Sequence, residues 1–167
     1  MTETVFEARE YKESIRENKL LHSLLYGLSK TLEEEIQPGM GYSALSRVGT
    51  HMIQYLGRYG FKPIESEDPY ERIMHLCRFY TDEGMVRKIY LKRDNGGIKL
   101  TAHRLFGSEV FADLHLEKGM EHTRPCPLFA MILSQLSEIG YMPKIRKLDY
   151  DVGKDLWEID LEVLKMD

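Results

Sequence analysis

Met85–Leu105, MVRKIYLKRDNGGIKLTAHRL, is the stretch on which the fold turns. Two runs rich in β-branched, aromatic and aliphatic residues flank Asp94-Asn95-Gly96-Gly97, whose residues tolerate the positive φ of a tight hairpin. The stretch therefore reads as two antiparallel strands. A second hairpin lies near the C-terminal end, turning at Asp151-Val152-Gly153-Lys154. In its last strand Trp157, Ile159, Leu161 and Val163 fall on one face, while Glu158, Asp160 and Glu162 fall on the other. That alternation predicts a sheet buried on one side and wet on the other.

Outside the hairpins the apolar period becomes helical. Pro127 to about Ile139 reads as a helix closed by Gly140. Upstream, Asp68-Pro69-Tyr70-Glu71 supplies an N-cap aspartate, a proline at the first helical position and a glutamate in capping-box position, opening a helix to about Glu83 that ends at Gly84. Before it, Ser43 caps Ala44 to Arg58, with Leu45, Val48, Met52, Ile53 and Leu56 on one face and Gly60 beyond the end. From Phe6 to about Ile36 the positions Ile15, Leu20, Leu21, Leu24, Leu25, Leu28 and Leu32 also keep helical spacing, as one long helix or two abutting ones, until Pro38-Gly39. The expected fold is α+β: an antiparallel sheet of about four strands with helices packed on one face, and a helical N-terminal half.

A chain of 167 residues, 43% hydrophobic and 30% charged, can bury one good core, so 1–167 is read as a single domain, helical over about 1–84 and mixed over about 85–167. The net charge of -4 gives no global attraction to phosphate backbones, and the basic candidate Arg87-Lys88 with Lys92-Arg93 is short and interspersed with apolar residues. No nucleic-acid partner is expected. Two distant cysteines are no disulfide framework, MTETVFEAREYKE lacks a signal-peptide core, and no apolar run approaches the ~18 residues of a membrane span. The expected location is cytoplasmic.

The residues that could carry chemistry have plainer readings beside them. His75 and Cys77, two apart on a helix, point in different directions and make a poor metal pair. His103, His115, His122 and Cys126 offer nitrogen and sulfur, but their spacing matches no zinc motif. Cys126, between two prolines at a helix start, reads either as an activated thiolate or as a small buried hydrophobe. Gly39, Gly41, Gly57 and Gly60 form no phosphate-binding motif, Ser46 and His51 are not a dyad without geometry, and Glu33-Glu34-Glu35 reads as a solvated helix face. Nine methionines suit either a core or an adaptable apolar pocket.

The order of Gly60-Phe61 after two helical segments, the Asp68-Pro69 helix, a hairpin, a Pro-Cys helix start and a last hairpin with glycine in its turn resembles the 4-vinyl reductase, or hydrocarbon-binding, domain. That family is related in fold to the small subunits of the TRAPP trafficking particle. The resemblance covers roughly Leu20 to Leu164. It implies a homodimer with an apolar pocket between helices and sheet for a small aromatic, a lipid tail or a tetrapyrrole-related ligand. By face and pattern in this chain, such a pocket would be walled by Cys77 and Tyr80, by Tyr90 and Leu100, and by Phe129 and Trp157, with His103 and Cys126 completing the candidate ligand-binding set. No catalytic residue is carried over.

Three functions follow in order: a non-enzymatic ligand-binding or sensing domain, a TRAPP-like structural adaptor, and an enzyme or maturation factor for a tetrapyrrole or another cofactor. The leucines at 20, 21, 24, 25 and 28 occupy more than one side of their helix, which points to a two-fold interface. Sensor members of the family hold zinc with a cysteine opening the penultimate helix, an acidic residue after it and two cysteines about the last hairpin's glycine. Here Cys126 matches the first, while Arg146, Asp149 and Trp157 stand at the others. No cofactor is therefore expected, zinc included. Purified protein should carry no stoichiometric zinc and keep its fold in chelator; elemental analysis returning one tightly held zinc per chain would overturn the reading.

Overall fold

A computed structural model describes residues 3–10, 41–94, 97–108, 110 and 126–166. Its centre is an antiparallel sheet of five strands in the order β1-β2-β3-β5-β4. Strand β1 is Glu3–Glu7, β2 Val86–Asp94, β3 Gly97–Leu105, β4 Tyr141–Asp151 and β5 Leu156–Lys165. Both expected hairpins are present, β2 with β3 and β4 with β5, and β3 joins them through β5.

Strand β1 corrects the expectation that a helix begins at Phe6. The segment ETVFE alternates rather than following a helical period, and it is hydrogen-bonded to β2 with Phe6 opposite Ile89. Phe6 is buried, and the Thr4 hydroxyl meets the Tyr70 hydroxyl at 3.1 Å, so the strand is docked on both sheet and helix. The leucine-rich stretch proposed for dimerisation lies outside the described residues.

Three helices are seen among the described residues: α1, Gly41–Gly57; α2, Pro69–Asp82; and α3, Pro127–Glu138. Helix α1 already includes Gly41, which places Ser43 inside its first turn instead of at the cap. Helix α2 starts as its sequence dictates. Asp68 Oδ1 accepts from the Tyr70 N–H at 2.9 Å, and Pro69 needs no partner for a missing donor. The capping box is closed indirectly, because the Ser66 hydroxyl donates to Glu71 at 2.6 Å and accepts from the Asp68 N–H. Arg93 at the end of β2 grips both Asp68 oxygens at 2.9 and 3.0 Å, joining helix start to strand end.

The sheet's buried face is set by register. Leu91 pairs with Leu100, Leu100 with Ile159 and Ile159 with Leu148, one apolar row across four strands. The next row is Phe6, Ile89, Ala102, Trp157 and Tyr150. Helix α2 lies against β1 and β2, while α3 packs against α1, α2 and β4. Every residue of α3 from Leu128 to Leu136 is buried, as expected of a helix covered on all sides.

Two contacts lock α3 in place. On the α2 side, the buried Arg72 donates to the Ser66 carbonyl at 2.7 Å and pairs with Glu138 at 2.6 Å. On the α1 side, the backbones approach so closely that a Cβ on Gly49 would lie 2.0 Å from the Ala130 carbonyl oxygen. Gly49→Ala should therefore force the helices apart and lose ~1–3 kcal/mol or more in chemical unfolding. Gly57→Ala, whose Cβ meets nothing within 4 Å, should be neutral or stabilising by ~0.4–1 kcal/mol. Equal stabilities for the two variants would refute the close crossing.

Candidate functional site

The sheet face turned away from the described helices carries the second side-chain set of each strand. Across its first row lie Glu7, Lys88, His103 and Leu156, and across the next Val5, Tyr90, Thr101 and Glu158. At the end where β2 and β3 close on the turn after β4, these side chains bound an open cleft of about 390 Å³. Glu7, Lys88, Tyr90 and His103 line it by register, and Arg87, Arg104 and Lys154 complete the lining.

A regular ladder could not place Arg87 beside Lys88 or Arg104 beside His103, since neighbours along a strand point to opposite faces. Here the alternation is broken. Arg104 has φ 50°, and the β2–β3 pairing steps from Val86–Leu105 to Lys88–His103 with no Arg87–Arg104 pair between them. The freed backbone groups find partners in outer segments: Arg104 N–H donates to the Asp155 carbonyl at 2.9 Å, and Ala8 N–H to the Arg87 carbonyl at 2.9 Å. Asp155 has φ 50° as well. Two non-glycine residues in the left-handed region thus face each other at the rim, a conformation that costs of order 1–3 kcal/mol each unless the surroundings enforce it. Asp155 is held further by the Tyr150 hydroxyl, which donates to its Oδ1 at 2.9 Å.

The cleft is rich in basic side chains within a chain of net charge -4. Four of them line it with one carboxylate, Glu7, and Lys154 is paired at 3.0 Å with Asp151 just outside the lining. Lys88 lies 3.4 Å from Glu7 and sits over the Tyr90 ring, 5.2 Å from its centroid. Tyr90 in turn meets the His103 ring edge-on at 5.8 Å. Contact with Tyr90 and then the charge of Glu7 hold the Lys88 ammonium above its ordinary range. His103 is pushed below the usual imidazole value, first by partial burial and then by the charges of Lys88 and Arg87, against a smaller pull from Asp155.

A second depression on the same face, about 230 Å³, is bounded by Lys99, Lys147, Glu158 and Asp160. Its charges cancel. Lys147 pairs with Asp149 at 2.6 Å and Glu158 at 3.5 Å, and Lys99 reaches Asp94 at 3.5 Å and Asp160 at 3.9 Å. The first cleft differs in adding Arg87 and Arg104 to its two paired lysines.

The eight candidate ligand-binding residues do not share one pocket. Cys77, Tyr80, Leu100, Phe129 and Trp157 are between 0 and 4% exposed and pack together in the helix-covered core. Tyr80 donates to the Met131 sulfur at 3.7 Å, and Trp157 stacks on Tyr150 with centroids 4.6 Å apart. Cys126 opens α3 on that same side, half-buried. Tyr90 and His103 belong to the opposite face, because Tyr90 is adjacent in sequence to the core-facing Leu91 and His103 to the core-facing Ala102. Sequence reading missed Glu7, Arg104 and Lys154. The tract Arg87-Lys88 was visible, but its partner Arg93 is engaged at Asp68.

His75 binds the Lys62 carbonyl through Nε2 at 2.8 Å and packs on Phe61, apart from Cys77. His51 lies 3.4 Å from Gln54 through Nδ1. Arg146 pairs with Glu162 at 3.2 Å. His115, His122 and Glu33 to Glu35 lie outside the described residues. Among the described residues no group of three or more His, Cys, Asp or Glu side chains is arranged to hold a metal, and no helix is long and apolar enough to cross a membrane. No family model, curated protein or solved structure matches the chain.

The thiols separate the two readings of Cys126. Burial pushes its pKa up to about 11, outweighing the Phe129 and Leu128 N–H groups that pull the other way. Burial drives Cys77 higher still. Both should alkylate with iodoacetamide far more slowly than free cysteine in the native protein and at the free rate in denaturant. Cys77→Trp should cost ~1–3 kcal/mol by overfilling the core, with Cys126→Ser far milder. Native reaction at the free rate for both would contradict this packing.

Proposed function

We propose that this protein is a small-molecule binding or sensing domain without catalysis of its own, and that its ligand is anionic and held in the cleft formed by β1, β2, β3 and the turn before β5. The observation that carries the reading is the gathering of Arg87, Lys88, Arg104 and Lys154 about His103, with Glu7 beside Lys88 and Asp151 beside Lys154. Cations on a concave surface attract counter-charge, and a cleft focuses the field beyond what the same charges do on a convex surface. The lining supplies donors and charge, without a nucleophile set beside a base, so it is suited to holding a ligand.

An apolar ligand or lipid tail between helices and sheet, which the family resemblance implies, meets a physical cost. Cys77, Tyr80, Leu100, Phe129 and Trp157 belong to one buried core cluster, and a guest would have to part it. The charged cleft needs no such rearrangement.

A structural adaptor is the second reading, favoured by the outer face of α1. Tyr55 and Tyr59 are 54% and 74% exposed, hydrogen-bonded to each other at 3.2 Å, and Arg58 lies over the Tyr55 ring. Tyrosine and arginine are the residue types that anchor protein interfaces.

Thermal unfolding with a panel of small anions at low salt tests the first reading. A ligand at a hundred times its Kd should stabilise the fold by ~2.7 kcal/mol, and the gain should vanish in Arg87→Gln/Lys88→Gln. Neutral analogues that stabilise equally well, or a double variant that responds like the parent, would sink it. Native mass spectrometry of protein from its own source adds a second arm. A small anionic adduct supports binding, whereas an empty chain held tightly to a partner protein supports the adaptor.

A further inference from the structure

The outer face of α1 is built from one sign of charge. Between Glu35 and Glu65 the sequence holds no Asp or Glu, in a chain where they outnumber Lys and Arg 27 to 23. Arg47, His51 and Tyr55 follow at steps of four along α1, and Arg58 and Tyr59 stand in the turn that ends it, so one exposed stripe runs from Arg47 to Arg58, roughly 16 Å. Lys62, also exposed, lies just beyond. Taking the adaptor reading of this face one step further, we infer that the stripe is a docking surface for an acidic segment of a partner protein, whose carboxylates meet Arg47, Arg58 and Lys62 about the two tyrosines.

The charges of the stripe are uncommitted. Several basic side chains elsewhere in the fold are matched, Lys88 with Glu7, Arg93 with Asp68, Arg146 with Glu162 and Lys154 with Asp151. Arg47, Arg58 and Lys62 form no ion pair among the described residues. Helix α3, packed beside α1, brings a single carboxylate, Glu138, and Arg72 engages it. The stripe is also held in shape before any partner arrives. Arg58 lies over the Tyr55 ring, 5.7 Å from its centroid, and the Tyr55 and Tyr59 rings are 5.4 Å apart with their hydroxyls hydrogen-bonded. Beneath them α1 is fixed on α3 by the close crossing of Gly49 at Ala130 and by the Thr50 and Ser134 hydroxyls, which meet at 2.9 Å. Groups ordered in advance lose less entropy on association.

Other occupants fit this face less well. A two-fold contact of the stripe with a second copy would set cation against cation. For a membrane surface the exposed side lacks aliphatic anchors, because Leu45 and Ile53 are buried and Val48, Met52 and Leu56 pack on the core. Nucleic acid draws its affinity from many phosphate contacts, and a few cations on a convex helix in a chain of net charge -4 supply little of that. An acidic protein segment needs only a few opposed charges for steering and register, with the tyrosines and Arg58 as central anchors.

Fluorescence anisotropy on the full chain at low salt, with a labelled helix-forming peptide of Glu, Ala and Leu and its Gln counterpart, tests this surface. The acidic peptide should bind saturably, about tenfold or more above the Gln peptide, and release as salt screens the charges. Arg47→Glu/Arg58→Glu should lower its affinity about tenfold or more with the melting temperature unchanged, since both side chains are exposed, and Tyr59→Ala should also weaken it. Arg87→Gln/Lys88→Gln, at the cleft on the opposite face of the sheet from the helices, should bind the peptide like the parent. Absence of saturable binding, or a charge-reversed chain that binds like the parent, would overturn the proposal, and dependence on Arg87 and Lys88 instead would move the acidic segment to the cleft and overturn it too. Duplex DNA or phosphatidylserine vesicles held more tightly than the peptide through Arg47 and Arg58 would assign the stripe to nucleic acid or to a membrane, and a dimer lost on charge reversal would assign it to a second copy; each sinks the acidic-protein assignment. A native partner that stays bound to the charge-reversed chain would leave the adaptor reading standing and remove only this surface.

Discussion

The cross-strand row Leu91, Leu100, Ile159 and Leu148 is the constraint on which the rest of the structure depends. Side-chain period in a strand is two, so slipping any one strand by a single residue would exchange its entire buried set for its exposed set. On β5 such a slip would drive Glu158, Asp160 and Glu162 beneath the helices, and on β3 Lys99 and His103. Burial of the row by α2 and α3 therefore fixes the register of the whole sheet. It also decides what stands on the far face. Tyr90 and His103 are neighbours there because Leu91, Leu100 and Ala102 are spoken for on the other side.

The helices are held to that sheet by a mixture of apolar burial and a few polar ties. Arg72, 6% exposed, would be costly to bury alone; its bonds to the Ser66 carbonyl, Gln135 and Glu138 compensate it and bind α2 to α3. Arg93 does the equivalent at the surface for Asp68. The outer strand β4 carries features that discourage pairing with another chain: Pro143, Lys144 and a register shift between Ile145 and Lys147.

Where the sheet departs from regularity, it gains chemistry. The left-handed residues Arg104 and Asp155 end the strict alternation at one corner, and four basic side chains converge as a result. Lysines across that face are paired with carboxylates, Lys147 and Lys99 along the ladder and Lys88 and Lys154 at the cleft. The left-handed backbone at Arg104 is what adds an arginine to the His103 side of β3.

By itself the sequence determined the α+β class, both hairpins, the helix from Pro69 and the helix from Pro127. These follow from short-range rules: alternation in LWEIDLEVL, the Asp68-Pro69 start, and glycines at 84 and 140, which adopt φ of 69° and 75° where the helices end. The pairing of β4 with β5 was legible from its turn, whereas the register shift between Ile145 and Lys147 was not. Strand β1 was not. Five residues next to a leucine-rich helical pattern carry too little local signal, and their conformation is settled by β2, to which they bond. The split of the eight pocket residues also lay beyond the sequence, since Tyr90 and Leu100 sit on different strands and only their pairing shows that they face opposite ways. The basic cleft was the least visible. Arg87, Arg104 and Lys154 are distant in sequence and unremarkable singly, and the positive φ of Arg104 and Asp155 has no glycine to announce it. Tertiary structure decided the site because long-range pairing imposed those conformations on residues whose local preference is otherwise.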